Sequence, residues 1–364
     1  NFNEYRTVEL DHSIKEMIIV GVVAPDVKNA FQKGLTESEE INKMRDMANI
    51  PGGDMSPAIL ASMIKSNLKK LPVKVTVLGE KEMKKLKMEA ILAVGRGSKE
   101  ESKFIEMVYS GGKASEAPIV LVGKGVTFDT GGINLKPTNG LLGMNMDMSG
   151  GAAVAQTIAL CARLKIKKNI VGLVPAVENM NSGESYRPGD VVRSMSGLTI
   201  EVLNTDAEGR VILADALHYA KKFKPKVVVD IATLTGAACV ALGARASAVF
   251  SKDENLLQDL RVYGEESGNY VWPLPLWEEY EAEIKGKLGD YTNTQNKDSR
   301  YGGAIMGAIF LYQFIKSRSK SEREIPWVHI DMAPRMESIE GEYLAHGSSG
   351  EPVALLTNFI ENFK

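Results

Sequence analysis

Apolar residues along the chain fall into short runs separated by longer polar-apolar stretches. The runs at 18–23 (IIVGVV), 73–78 (VKVTVL), 91–94 (ILAV), 118–122 (PIVLV), 170–174 (IVGLV) and 227–231 (VVVDI) have strand length and are read as buried strands. Between them, helical periodicity predicts helices over 81–88, 150–163 and 210–222. Earlier, Thr36 and Glu39 have the spacing of a capping box and open a helix running to Asn49. After the turn IPGGDMSP, Pro57 opens another over 57–70. Alternating strand and helix predicts an α/β fold: a central mixed, largely parallel sheet with helices on both faces. Such sheets bind ligands beyond the carboxyl ends of their strands. The stretch VGKGVTFDTGG (122–132) begins at one such end.

Composition narrows the classes. With 364 residues, 44% of them hydrophobic and 25% charged, the chain can build one large domain with a sizeable core. A formal net charge of −2 supplies no global attraction for nucleic acid, and no basic, aromatic-laced stripe appears. Cys161 and Cys239 are too few for a disulfide framework and fit a reducing, cytoplasmic setting. No run approaches the roughly 18 apolar residues of a membrane helix, and no signal-peptide pattern opens the chain. The first residue is Asn1, so a trimmed or processed chain is expected. KEMKKLK and SRSKSERE are read as solvated helix faces.

The glycines around Lys124 suggest a phosphate loop, but the pattern fails. Gly123-Lys124 is followed by Gly125 where Ser or Thr is needed, and no glycine precedes at the right distance. GRGS (95–98) lacks the third glycine of a dinucleotide fingerprint. The acids say more. Asp129 in TFDTGG, Asp147 in MNMDMSGG, and Asp206 with Glu208 in NTDAEGR all stand in turn-rich settings. One Asp beside glycine is ordinarily a turn or cap. Three such segments together suit an oxygen-rich site for one or two divalent cations, whose charge would relieve the repulsion among four carboxylates. None of His12, His218, His329 and His346 stands near these acids, which argues against a histidine-based zinc site; His218 is expected to be a satisfied packing residue in a helix. Lys124, Lys136 and Arg210 share loops with the acids, either as charge compensation or to stabilise an oxyanion.

NTDAEGR (204–210) resembles the signature of the leucyl aminopeptidase family, also called cytosol aminopeptidases. VGKGVTFDTGG, NLKP, MNMDMSGGAA, DIATLTGA, PLWEEY and GGAI accompany it in order, from about residue 40 to the end. The resemblance implies a metallo-exopeptidase with two divalent ions per subunit, zinc or manganese foremost, magnesium or cobalt as alternatives. It implies metal ligation by Lys124, Asp129, Asp147, Asp206 and Glu208, with Asp129 and Glu208 shared by both ions. Lys136 and Arg210 take the catalytic positions, Arg210 holding a bicarbonate. A bridging hydroxide would attack the scissile carbonyl and release the N-terminal residue. Met144, Thr233, Leu234, Gly236, Ala333 and Met336 map onto the specificity pocket, whose apolar walls suit Leu or Met. A lysine ligand is chemically reasonable, since a neighbouring dication lowers its pKa from about 10.4.

The resemblance further implies a cytoplasmic homo-hexamer acting on peptides. It divides the chain into residues 1–35, a reduced or truncated N-terminal domain, and the catalytic domain, residues 36–364. Two other classes stay open: a second kind of two-metal hydrolase, such as a phosphoesterase, and a protein of this fold with a mainly binding or structural role.

Overall fold

The computed structural model describes residues 2, 4–7, 16, 18, 20–21, 24–296, 301–319 and 321–364. Its strands are β1 (Val73–Leu78), β2 (Lys103–Ser110), β3 (Ile119–Gly123), β4 (Gly125–Asp129), β5 (Asn169–Asn179), β6 (Val191–Arg193), β7 (Thr199–Glu201), β8 (Val227–Ala232), β9 (Ser247–Ser251), β10 (Val271–Pro273), β11 (Tyr291–Thr292) and β12 (Trp327–Asp331). Its helices are α1 (Pro25–Asn49), α2 (Pro57–Leu68), α3 (Glu80–Lys85), α4 (Glu89–Gly95), α5 (Thr138–Leu141), α6 (Ser149–Arg163), α7 (Glu208–Ala220), α8 (Gly236–Leu242), α9 (Glu254–Ser267), α10 (Gly303–Ile315) and α11 (Val353–Asn362).

Among the described residues, nine strands form the main sheet in the order β1-β2-β5-β3-β8-β12-β9-β10, with β4 also paired to β5. The centre, β5-β3-β8-β12, is parallel, whereas β1, β2 and the β12–β9 pairing are antiparallel. A mixed, largely parallel sheet is thus observed. Successive strand residues point to opposite faces. Ile119 and Leu121 of β3, with Val227, Val229 and Ile231 of β8, therefore join the core beneath α1, α2, α6 and α11. Val120, Val122 and Val228 join the core beneath α4, α7 and α10. Burial on both sides explains why these strands read as unbroken apolar runs.

Four expectations are corrected. ILAV (91–94) lies in α4, a buried helix whose first N–H groups, at Ala90 and Ile91, donate to the Asp215 carboxylate at 2.9 and 3.1 Å. So short an apolar run has no visible period, and the capping acid comes from distant sequence. The first helix starts at Pro25, with proline supplying the first-turn geometry. Thr36 is interior to that helix, its hydroxyl donating to the Gln32 carbonyl. In the strand expected at 18–23, residues 19, 22 and 23 lie outside the described residues, while Ile18 and Val20 are irregular and exposed. The described residues of SRSKSERE (317–324) are likewise not helical.

Candidate metal centre

The centre forms where β3, β4, β5 and β8 end, opposite the N-terminal turn of α7. Close packing dictates the glycines. A Cβ on Gly150 would lie 2.2 Å from the Ile231 carbonyl oxygen, so only glycine lets α6 start directly on the strand ends. The Gly151 amide then donates to the Lys124 carbonyl at 2.7 Å, and the Lys124 amide donates to that of Ile231 at 2.9 Å. The sharp turn of TFDTGG is made by Gly131 and Gly132, with φ of +84° and +64°. Gly123 and Gly125 are strand residues packed against backbone.

Between these glycine-built turns the predicted polar residues converge. Lys124 is buried, and its Nζ lies 2.8 Å from Asp147 Oδ1 and 2.9 Å from Glu208 Oε1, while donating to the Thr233 carbonyl at 3.0 Å. Lys136 Nζ lies 2.8 Å from Asp129 Oδ2 and also pairs with Asp206. Asp129, Asp206 and Glu208 each offer a carboxylate oxygen within 4.8 Å of the others. Arg210, two residues beyond Glu208 in α7, donates from Nη1 to the Asn293 carbonyl at 2.9 Å.

Burial and like charge strain the acids. Desolvation and the charge of Asp129 raise Glu208 to about 8. Desolvation raises Asp147 to about 6 against the pull of Lys124. Asp206 is raised by burial as well. For Lys124 and Lys136, burial disfavours the ammonium, but the surrounding carboxylates outweigh it and hold both above the ordinary lysine value. Burial lowers Arg210 to about 10, so it stays charged at neutral pH. Excess buried carboxylate of this kind favours added positive charge.

The donor set fits divalent cations. Three carboxylates from two loops share one small volume, and Asp147 Oδ2 is buried with no hydrogen-bond partner among the described residues. Oxygen donors with one amine are hard ligands of the kind such ions take. None of the described histidines joins them. His329 is buried in β12 with Nδ1 2.5 Å from Asp230 Oδ1, and His346 is exposed. His12 lies outside the described residues. His218 is half-buried in α7, but its Nδ1 makes no hydrogen bond and burial lowers it to about 4, so it is not the satisfied residue expected.

The pocket residues are more dispersed. Gly236 borders a cavity of about 1350 Å³ that Asp206, Ala237, Leu274, Tyr301 and Ile305 also line. Met144 opens the 3-10 turn carrying Asp147, and Ala333 lies in the 3-10 turn after β12, with Met336 immediately following it. Leu234 packs against the α7-side core. Thr233 does something composition does not suggest: its hydroxyl donates to Asp147 Oδ1 at 2.6 Å. Sequence reading also passed over Asn179, which donates to Asp129, and over Asp331, which accepts from the Leu234 and Thr235 amides and the Thr235 hydroxyl. A lone Asn or Asp at a strand end carries no motif to flag it.

The chain matches known proteins along most of its length. The catalytic domain of the cytosol aminopeptidase family matches residues 42–357. A protein of Azoarcus sp. (strain BH72) described as "Probable cytosol aminopeptidase" is 45% identical, over 94% of this chain and 66% of its own length. One of the same description from Nitrosomonas europaea is 44% identical, over 93% and 65%. The chain thus spans just under two thirds of these two relatives. Among solved structures, the bottromycin maturation enzyme BotP superposes with a TM-score of 0.88 at 33% identity, covering 99% of this chain and 75% of BotP. BotP in complex with Mn gives 0.89 at 34%, covering 99% and 76%. No helix among the described residues is long and apolar enough to cross a membrane. By sequence match, by fold and by the signature residues gathered at one strand end, the chain belongs to the cytosol aminopeptidase family.

Proposed function

We propose that this chain is a metal-dependent aminopeptidase, with residues 36–364 as its catalytic part, releasing the N-terminal residue of peptides. One observation carries the reading: Asp129, Asp206 and Glu208 present donor atoms to one point, with Lys124 and Asp147 alongside. These five residues would hold two divalent cations. When bound, such ions supply Lewis acidity toward a carbonyl oxygen and make water nucleophilic near neutral pH. The Mn complex of BotP supports manganese, and the family resemblance supports zinc equally.

The two lysines take different parts. Lys124 is enclosed, with 4% of its side chain exposed, and serves as a ligand. Lys136 keeps 16% exposed, so its ammonium can reach a substrate and stabilise the oxyanion of a tetrahedral intermediate. Arg210 Nε is buried without a partner among the described residues, which leaves a donor to spare for an anion such as bicarbonate. Half-buried Met144, Leu234, Ala333 and Met336, with Thr233 and Gly236, offer apolar contact to a Leu or Met side chain and no partner for a charged one. A cytoplasmic homo-hexamer belongs to the same reading, resting on the family resemblance.

The test is hydrolysis of leucine p-nitroanilide and of leucyl dipeptides, free and N-acetylated, by metal-stripped and reconstituted protein. Activity should vanish on stripping, return with Mn²⁺ or Zn²⁺, and require the free amine. Undiminished turnover without metal, or equal rates on blocked peptides, refutes the proposal. Hydrolysis of p-nitrophenyl phosphate in place of the anilide would establish the phosphoesterase alternative.

A further inference from the structure

Asn179 bonds to both ligand-bearing loops. It ends β5, is wholly buried, and stands opposite Asp129 in the β4–β5 register. Its Nδ2 donates to Asp129 Oδ1 at 2.8 Å and to the Thr205 carbonyl at 3.0 Å. The first contact reaches the last residue of β4; the second reaches the peptide immediately before Asp206. The backbone carbonyl of residue 179 meanwhile accepts from the Thr130 amide and hydroxyl, at 2.9 and 2.8 Å.

The consequence for Asp129 is a division of its oxygens. Oδ1 receives two hydrogen bonds from the protein, from Asn179 and from the Gly131 amide at 2.8 Å. Oδ2 pairs with Lys136, whose ammonium also pairs with Asp206. On the far side, the Thr205 carbonyl also accepts from the Tyr186 hydroxyl at 2.8 Å, and the Thr205 hydroxyl donates to the Gly131 carbonyl at 2.6 Å. The peptide plane that aims Asp206 is therefore held from two directions.

We infer that Asn179 is a positioning residue of the metal centre, committing Asp129 to offer Oδ2 alone and holding Asp206 in register with it. The residue type follows from the contacts. Two oxygens must be satisfied by one neutral group with two N–H bonds on one atom, which a primary carboxamide supplies. Aspartate would set oxygen against oxygen, serine has one donor, and a cationic side chain would compete with the metals. Partners that orient ligating carboxylates typically govern affinity by about 10–100-fold.

The inference rests on the metal-centre reading, and the experiment separates the two. Metal-stripped wild type, Asn179→Ala, Asn179→Leu and Gln313→Ala are titrated with Mn²⁺ by calorimetry, and the metal-free melting of each is recorded. Gln313 is a buried carboxamide of α10 that bonds the Ile309 carbonyl and Glu281, none of them part of the metal centre, so its removal reports general loosening. Both Asn179 variants should bind Mn²⁺ about 10–100-fold more weakly than wild type, with Gln313→Ala matching wild type. Asn179→Leu keeps the volume; Asn179→Ala only removes atoms and decides the matter should the leucine variant not fold. Wild-type affinity in a folded Asn179 variant, or an equal loss in Gln313→Ala, overturns the assignment while leaving the metal centre standing. A wild-type chain that binds no Mn²⁺ overturns the centre itself, and Asn179's role with it.

Discussion

Gly209 offers a perturbation whose effect on the site can be separated from its effect on the helix. It is the second residue of α7, between Glu208 and Arg210. A Cβ there would lie 2.7 Å from Lys124 Cε and 2.8 Å from both its Cδ and Nζ, where ordinary contact begins at 3.4 Å. The lysine tip must therefore retreat by about 0.6 Å, well outside the ~0.2 Å tolerance of metal-ligand distances. Its bonds to Asp147, Glu208 and Thr233, now 2.8, 2.9 and 3.0 Å, would stretch beyond the ~3.2 Å limit of good hydrogen bonds if the motion ran along them. Overpacking costs about 1–3 kcal/mol. Replacing glycine by alanine within a helix returns roughly 0.5–1 kcal/mol. The net loss of stability should be about 0–2 kcal/mol, a few degrees in melting temperature. The affinity of the centre should suffer disproportionately, by about tenfold or more, since Lys124 cannot hold its ligand geometry. Thermal melting of metal-free Gly209→Ala beside Mn²⁺ calorimetry measures both. Wild-type Mn²⁺ affinity at both sites in the folded variant would refute the placing of Lys124 in the ligand set.

The remaining predictions concern charge. Lys136→Ala should lower kcat by about 10²–10³-fold with KM and metal content near wild type, as expected of an oxyanion-stabilising charge rather than a ligand; metal loss measured by elemental analysis would refute that role. Lys124→Ala should instead lose affinity for one ion and recover part of its activity at high metal concentration. Asp215 is raised by burial from 3.8 to about 7, even though it accepts from the Met195, Ile91 and Ala90 amides. A raised folded-state pKa means that the native chain binds more protons than the unfolded one between these values, so this contribution to stability falls as pH rises through that window. Melting temperatures of wild type minus Asp215→Asn should accordingly decline from about pH 4 to 7; a flat or rising difference would show that Asp215 folds ionised.

Strands β1, β3, β5 and β8, and helices α2, α3, α6 and α7, were legible in the sequence because local period and capping residues specify them. The acids were legible as a group, since three carboxylate segments set among glycines are rarely all turns, and NTDAEGR named the family. Lys124 as a ligand came from the resemblance alone: no spacing rule makes an amine a metal ligand. Tertiary structure decided what depends on distant partners. α4 is a helix because Asp215, some 125 residues away, caps it, which a four-residue apolar run cannot reveal. The Thr233 hydroxyl faces Asp147 across 86 residues of sequence, and Asn179 reaches Asp129 across 50. The chemistry of each side chain is written locally, whereas the partner that orients it is set by which strand ends the sheet brings side by side.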